Sequence, residues 1–247
     1  MSLRNLVTAF LASPCCLLLA LSSTACASDE DNDDSSSDGH EYYAGSRSAA
    51  LGVTGNESRC ATCHSDDGSQ APFSGNTFQD IAYKSSYKGG GAMTLLDASN
   101  VCISGWMGGE PLAENDQQWR GLKSFLESIS DRGATEPNAL APEVLEDEAA
   151  YELAYTGGDA AAGESKYASY CASCHAGGMS VGSVDSPLRT LLATKSIGRI
   201  AQQVRTSGPP PSGSADTSDS TPGPMPFFEP RDLSAEDLKD IIAAIKG

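Results

Sequence analysis

Two pentapeptides constrain this chain more than anything else in it: Cys60-Ala61-Thr62-Cys63-His64 and Cys171-Ala172-Ser173-Cys174-His175. A C-x-x-C-H run is the attachment signature of c-type haem. Two cysteines three apart on one helical turn reach the two vinyl groups of a porphyrin and form thioethers. The adjoining histidine then offers its imidazole to the iron as proximal ligand. A disulfide, a redox dithiol or half a zinc site could use one such motif. Two motifs, each ending in His, in a chain with 3 histidines leave a zinc reading short of ligands. The expectation is two covalently bound haem c groups, one held by Cys60, Cys63 and His64, the other by Cys171, Cys174 and His175.

The N-terminus reads as an export signal. One base, Arg4, precedes an apolar run from Leu6 to Leu21 that Pro14 interrupts. A membrane-spanning helix needs roughly 20 apolar residues, so an anchor helix is not expected. Ser23-Thr24-Ala25-Cys26 resembles the lipobox of bacterial lipoproteins, although Ser23 replaces the usual leucine. That resemblance implies cleavage before Cys26 and a lipid on its thiol, each buried acyl CH₂ contributing about 0.8 kcal/mol to membrane binding. Ala25-Cys26-Ala27 also fits plain secretion with cleavage after Ala27. The expected location is the periplasmic face of a bacterial membrane.

Residues 26–44 are acidic, serine-rich and almost free of aliphatics. Such a stretch is expected to be a disordered tether, with His40 a solvated histidine. The whole chain is acidic, with a formal net charge of −17 at pH 7. That argues against nucleic acid and for redox partner proteins with basic or neutral docking surfaces.

Helical patterns repeat around the motifs. Asp159 is a plausible cap for a helix leading into Cys171, and Ile197, Ile200 and Val204 share one helical face. Ser234 and Asp237 read as a capping box before the stripe Leu238, Ile241, Ile242 and Ile245. In the first half, Asn115 and Gln118 form a cap pair before Trp119, Leu122, Leu126 and Ile129. The expected division is a signal peptide at 1–25, the tether at 26–44, helical domains at 45–132 and 149–247, and a proline- and acid-rich linker at 133–148. Domains this small have thin cores, and a covalent haem would supply missing apolar surface.

The distal ligands decide much of the chemistry. Met225 follows His175 by fifty residues and lies between Pro224 and Pro226, which would stiffen a loop over the haem. Met179, four residues past His175, sits on the wrong side. In the first half Cys102 is the cysteine left without a role, thirty-eight residues past His64. A thiolate is a strong ligand for ferric iron. Met107 and Met93 compete with it, and a buried structural thiol is the plain alternative.

The second half resembles a small class I cytochrome c, through its attachment motif and Met-Pro loop. The resemblance implies Met225 as distal ligand and Arg205 as a partner for a haem propionate. The segment "NVCISGWMGGEPL" at 100–112 resembles the distal-ligand segment of di-haem cytochromes of the thiosulfate dehydrogenase and SoxA type. It implies Cys102 as distal ligand of the first haem, with Met107, Gly109, Pro111 and Leu112 in step. The fold expected is mostly α: two tandem cytochrome c-like helical domains, each wrapped around one covalent haem. Thiosulfate dehydrogenases carry an Arg-Ser pair where this chain has Gly105 and Trp106; the nearest cations in sequence are Lys84 and Lys88. The expected function is therefore an electron carrier running from a low-potential first haem to a high-potential second. The alternative is a sulfur-oxidising enzyme built on the first site.

The mature chain is expected to show two haem increments in its mass, both surviving denaturation. One increment or none would refute the motif reading.

Overall fold

Each half closes where its entering helix crosses its last helix, and a glycine permits the crossing. The computed structural model describes residues 31–69, 77–181, 184–207 and 225–247. The signal segment and Cys26 lie outside the described residues. In the first half α1 (Asp31–Ala44) packs on α4 (Gln117–Ile129). In the second α6 (Ala160–Tyr170) packs on α10 (Ala235–Lys246). A Cβ added at Gly39 would run into the Gly121 carbonyl, and one at Gly163 into the Asp240 carbonyl. Four residues after each glycine stands a buried tyrosine, Tyr43 or Tyr167.

Between these helices lie the short α2 (Cys60–His64) and α3 (Leu95–Asn100) in the first half. The second half adds α5 (Glu148–Tyr155), α7 (Ala172–His175), α8 (Arg189–Leu192) and α9 (Ile197–Thr206). A small antiparallel pair, β1 (Ser180–Val181) and β2 (Val184–Asp185), forms the one sheet among the described residues. The expected apolar stripes form the cores. Trp119, Leu122 and Leu126 are buried on α4, and Leu238, Ile241, Ile242 and Ile245 on α10. Each such aliphatic contributes about 1.5–3 kcal/mol by burial. Asp159 caps α6 by accepting from Ala161 and Ala162, and Ser234 caps α10 by accepting from Asp237. At α4 the cap position is Asp116 rather than Asn115. Lys166 clasps α6 to α10 through Asp237 and Asp240, both at 2.6 Å, holding both carboxylates below their usual range.

Two expected boundaries are corrected. The stretch 26–44 is not a disordered tether throughout, because the chain is helical from Asp31 and buries Gly39, Tyr42 and Tyr43. Its acidic average conceals one face that docks on α4, so residues 31–44 pack with the first half instead of preceding it. His40 remains exposed but has partners: Nε2 lies 3.1 Å from the Asp66 carbonyl and the ring meets Phe125 edge-on. The linker 133–148 is laid down in order rather than loose. Asn138 N–H donates to Ser86 O at 2.8 Å, Gly89 N–H donates to Asn138 O at 3.0 Å, and Tyr151 Oη donates to Glu143 O at 2.6 Å. Asp147 already caps α5, so helix begins inside the stretch read as linker. No helix among the described residues is long and apolar enough to cross a membrane.

Gly39→Ala and Gly163→Ala are each expected to cost about 1–3 kcal/mol by forcing the crossing apart, read in denaturant unfolding. A chain starting at residue 45 should lose the first domain's helical signal, whereas one starting at 31 should keep it.

Candidate haem sites

The first attachment motif is one short helix held from both sides. Tyr43 Oη donates to the carbonyl of Ser65 at 2.7 Å and lies 3.2 Å from that of His64, pinning the end of α2 to α1. Phe78 stacks on the His64 ring at 3.7 Å between centroids. Cys60, Cys63 and His64 form one wall of a largely apolar cavity. Leu95, Ala98, Cys102, Ile103, Trp106 and Met107 form another, with Leu122 and Leu126 of α4 behind them. The linker contributes Asn138 and Leu140; the second half contributes Cys174, Met179, Pro226 and Phe227.

Cys102 reaches this cavity on a π-helical turn, Val101–Trp106, that continues α3. Met107 N–H donates to the Cys102 carbonyl five residues back at 2.9 Å, the bond that defines such a turn. Turns of this kind occur frequently at functional sites. The segment is closed by one side chain: Asn100 Nδ2 donates to Leu112 O at 2.8 Å, and Asn100 Oδ1 accepts from Leu112 N at 2.7 Å. Gly109 passes so close to the Leu51 carbonyl that no side chain fits there, and Glu110 N–H donates to that same carbonyl at 2.9 Å. Asn56 Nδ2 donates to Met107 O at 3.0 Å. The loop carrying Cys102 is thus fixed at both ends and in the middle.

Three thiols of the first half, Cys60, Cys63 and Cys102, line this cavity. The Cys60 thiol is pushed up to about 12, first by burial and then by its neighbours Cys102 and Cys63. A thiol placed like that of Cys60 remains protonated unless a covalent bond or a cation takes it. Of the two competing methionines, Met107 lines the cavity and is buried, while Met93 is 67% exposed and is not part of its lining. Lys84 is paired with Asp80 at 3.0 Å, and Lys88 is among the residues that line the cavity.

At the second motif the imidazole is already oriented. His175 Nδ1 lies 2.7 Å from the Pro187 carbonyl. A carbonyl only accepts, so Nδ1 carries the proton and Nε2 keeps its lone pair for a metal. Cys171 is pushed up to about 12 by burial and then by Cys174, and Cys174 is raised by burial too. Met225 is half-buried and packs on the same core as Cys171 and Tyr170. Pro224 lies outside the described residues. Met179 N–H donates to Cys174 O at 3.0 Å, and its side chain belongs to the first cavity's lining.

Arg205 is completely buried. Nε donates to Tyr155 Oη at 2.8 Å and Nη1 to the carbonyls of Phe228 and Leu233 at 3.1 and 2.8 Å. Its Nη2 finds no partner among the described residues. A buried guanidinium with donors to spare suits a carboxylate. Sequence reading missed that the linker's Glu143, 3.5 Å from Arg205 Nε, joins this network; proline and acid content alone gave no sign of it. The grouped thiols of both motifs, and in the second half the oriented imidazole and the unsatisfied buried donor, are of a kind that fits a covalently bound haem.

Residues 158–243 match the family model described as cytochrome c oxidase, cbb3-type, subunit III. The C-terminal half thus carries a cytochrome c domain. Among solved structures, thiosulfate dehydrogenase (TsdBA) from Marichromatium purpuratum in its "as isolated" form is similar at 16% identity with a TM-score of 0.45. The alignment covers 91% of this chain and 48% of that one, so the chain spans about half the length of that structure. A search of curated protein sequences returns no match.

Asn100→Ala removes both bonds that close the 100–112 loop and leaves Leu112 without its side-chain partners. A loss of about 1–3 kcal/mol is expected, together with a changed ferric EPR signal from the first site and an unchanged one from the second.

Proposed function

We propose that this chain is a di-haem c-type cytochrome that passes single electrons from a low-potential first site to a high-potential second site. The carrying observation is the shared wall: Cys174, a thioether cysteine of the second motif, lines the cavity of the first together with Phe227. Two sites that share a wall suit transfer within one chain. Bound haem supplies one-electron redox chemistry; the protein sets where and at what potential. Cys60 and Cys63 would hold the first group, and Cys171 and Cys174 the second. His64 and His175 would serve as proximal ligands. Cys102, on a loop that Asn100 holds closed, would be the distal ligand of the first, and a thiolate there would favour the ferric state. Met225 would be the distal ligand of the second, where a thioether would raise the potential. Arg205 would neutralise a propionate of the second haem.

The reading includes export to the periplasmic face of a bacterial membrane with a lipid tether on Cys26, which the apolar run Leu6 to Leu21 and the lipobox-like Ser23-Thr24-Ala25-Cys26 support. The chain's acidity selects redox partners with basic or neutral surfaces. A second reading, oxidation of a sulfur compound at the first site, draws on Lys88 in the cavity lining, since an anionic substrate wants a cation beside it. Gly105 and Trp106, in place of an Arg-Ser pair, favour the carrier.

The test is a redox titration paired with EPR. Cys102→Met should raise the low-potential wave substantially, axial ligation being a main control over a range of about 0.8 V. Met225→Ala should abolish the weak long-wavelength band of a thioether-ligated ferric haem and lower the other wave. If Cys102→Met leaves both the low wave and the ferric signals unmoved, Met107 becomes the preferred ligand.

A further inference from the structure

In the second half one carbonyl orients the imidazole, and the backbone that carries it has little order of its own. Pro187 O lies 2.7 Å from His175 Nδ1. Upstream, Ser186 N–H donates to Met179 O at 2.9 Å. Downstream stands α8, which is 4 residues long. A helix of one turn does not hold its own position in water. The Pro187 carbonyl is therefore placed as firmly as α8 is anchored to its neighbours.

Arg189 is the anchor nearest that carbonyl. It opens α8 and follows Pro187 by one intervening residue, Leu188. Nη1 donates to Glu164 Oε2 at 2.8 Å and Nη2 to Glu164 Oε1 at 2.5 Å, a two-pronged grip on α6. Nη2 also donates to the Ala244 carbonyl on α10. The guanidinium carbon lies 4.7 Å from the centroid of the Tyr167 ring. Tyr167 is buried, and its carbonyl accepts from Cys171 N–H at 2.9 Å. One side chain thus joins the helix that leads into the attachment cysteines to the segment that orients the histidine. Its ion pair alone, partly open to water, adds little to stability. A planar fork, a carbonyl and a ring face engaged together instead fix a geometry. Past α8, Lys246 Nζ donates to Ala193 O and Lys195 O, both at 2.8 Å, so the far end is tied down as well.

We propose that Arg189 is a positioning residue for the His175 imidazole: by fixing the Pro187 carbonyl against α6 and α10 it keeps the Nδ1–H bond short and holds down the potential of the second site. The inference rests on the haem reading of that site. A hydrogen bond from Nδ1–H makes the ring a more basic ligand through Nε2. A more basic axial ligand favours ferric iron and lowers the potential. The carbonyl thus opposes the Met225 thioether, which would raise it. Acting merely as a nearby cation, Arg189 would do the reverse, disfavouring ferric iron and raising the potential. The two roles differ in sign.

The experiment uses the holoprotein, with two haems verified by mass so that failure of the haem reading is seen separately. Arg189→Gln removes both the fork and the charge, and Arg189→Lys keeps the charge but loses the fork. One readout is a redox titration, in which the second site's wave is the one that Met225→Ala lowers. The other is the His175 Nδ1–H signal in the NMR spectrum of the reduced protein labelled with nitrogen-15 histidine, which 3 histidines keep simple to assign. In Arg189→Gln the second-site midpoint should rise, and the Nδ1–H signal should move upfield and exchange faster with solvent. Arg189→Lys should shift both in the same direction by less, and the first-site wave should not move in either. A second-site midpoint that falls or stays in place in Arg189→Gln overturns the proposal. So does an Nδ1–H signal that neither variant changes. Where Arg189→Gln fails to retain its second haem, Arg189→Lys decides: a raised midpoint supports the proposal, and an unmoved or lowered one overturns it.

Discussion

Both halves depend on one steric event, the approach of an entering helix to the backbone of a closing helix at a glycine. Gly39 meets the Gly121 carbonyl and Gly163 meets the Asp240 carbonyl, with no room for a Cβ at either place. That approach sets where Tyr43 and Tyr167 stand one turn later. Tyr43 in turn holds the carbonyls that end the first attachment helix. In the second half the Tyr167 carbonyl accepts from Cys171 N–H at 2.9 Å. The cysteine pairs are therefore positioned by backbone packing before any cofactor chemistry begins.

A second level of order comes from hydrogen bonds that close segments without regular structure. Asn100 ties itself to Leu112 by two bonds, so the intervening turn behaves as a unit and presents Cys102 and Met107 to one cavity. Irregular backbone is otherwise costly to order. Here one amide side chain, the Asn56 bond to Met107 and the close approach of Gly109 to Leu51 offset that cost locally.

The segment between the halves does more than connect them. Asn138 fixes the left-handed turn at Lys88 on one side. Five residues later Glu143 receives Tyr151 through its carbonyl and Tyr155 through its carboxylate, beside the buried Arg205. One strand of polypeptide thus touches the lining of the first cavity and the polar network of the second half. A change made in it is felt at both.

The sequence by itself determined where the candidate attachment motifs lie, because C-x-x-C-H is a local pattern: two thiols and an imidazole on one turn need no tertiary context to be recognised. It also determined the closing helices, whose stripes at Trp119 to Ile129 and Leu238 to Ile245 repeat at the helical period. The entering helix of the first half was not legible in the same way. Its acidic, serine-rich average reads as disorder, and its Gly39-to-Tyr43 spacing matches Gly163-to-Tyr167 only when sixteen residues between Tyr43 and Cys60 are set against three between Tyr167 and Cys171. Tertiary structure alone decided which sulfurs share a cavity, that Met93 is left outside it, and that Glu143 of a supposed linker joins Arg205. These are contacts between residues distant in the chain, created by packing, and no local periodicity encodes them.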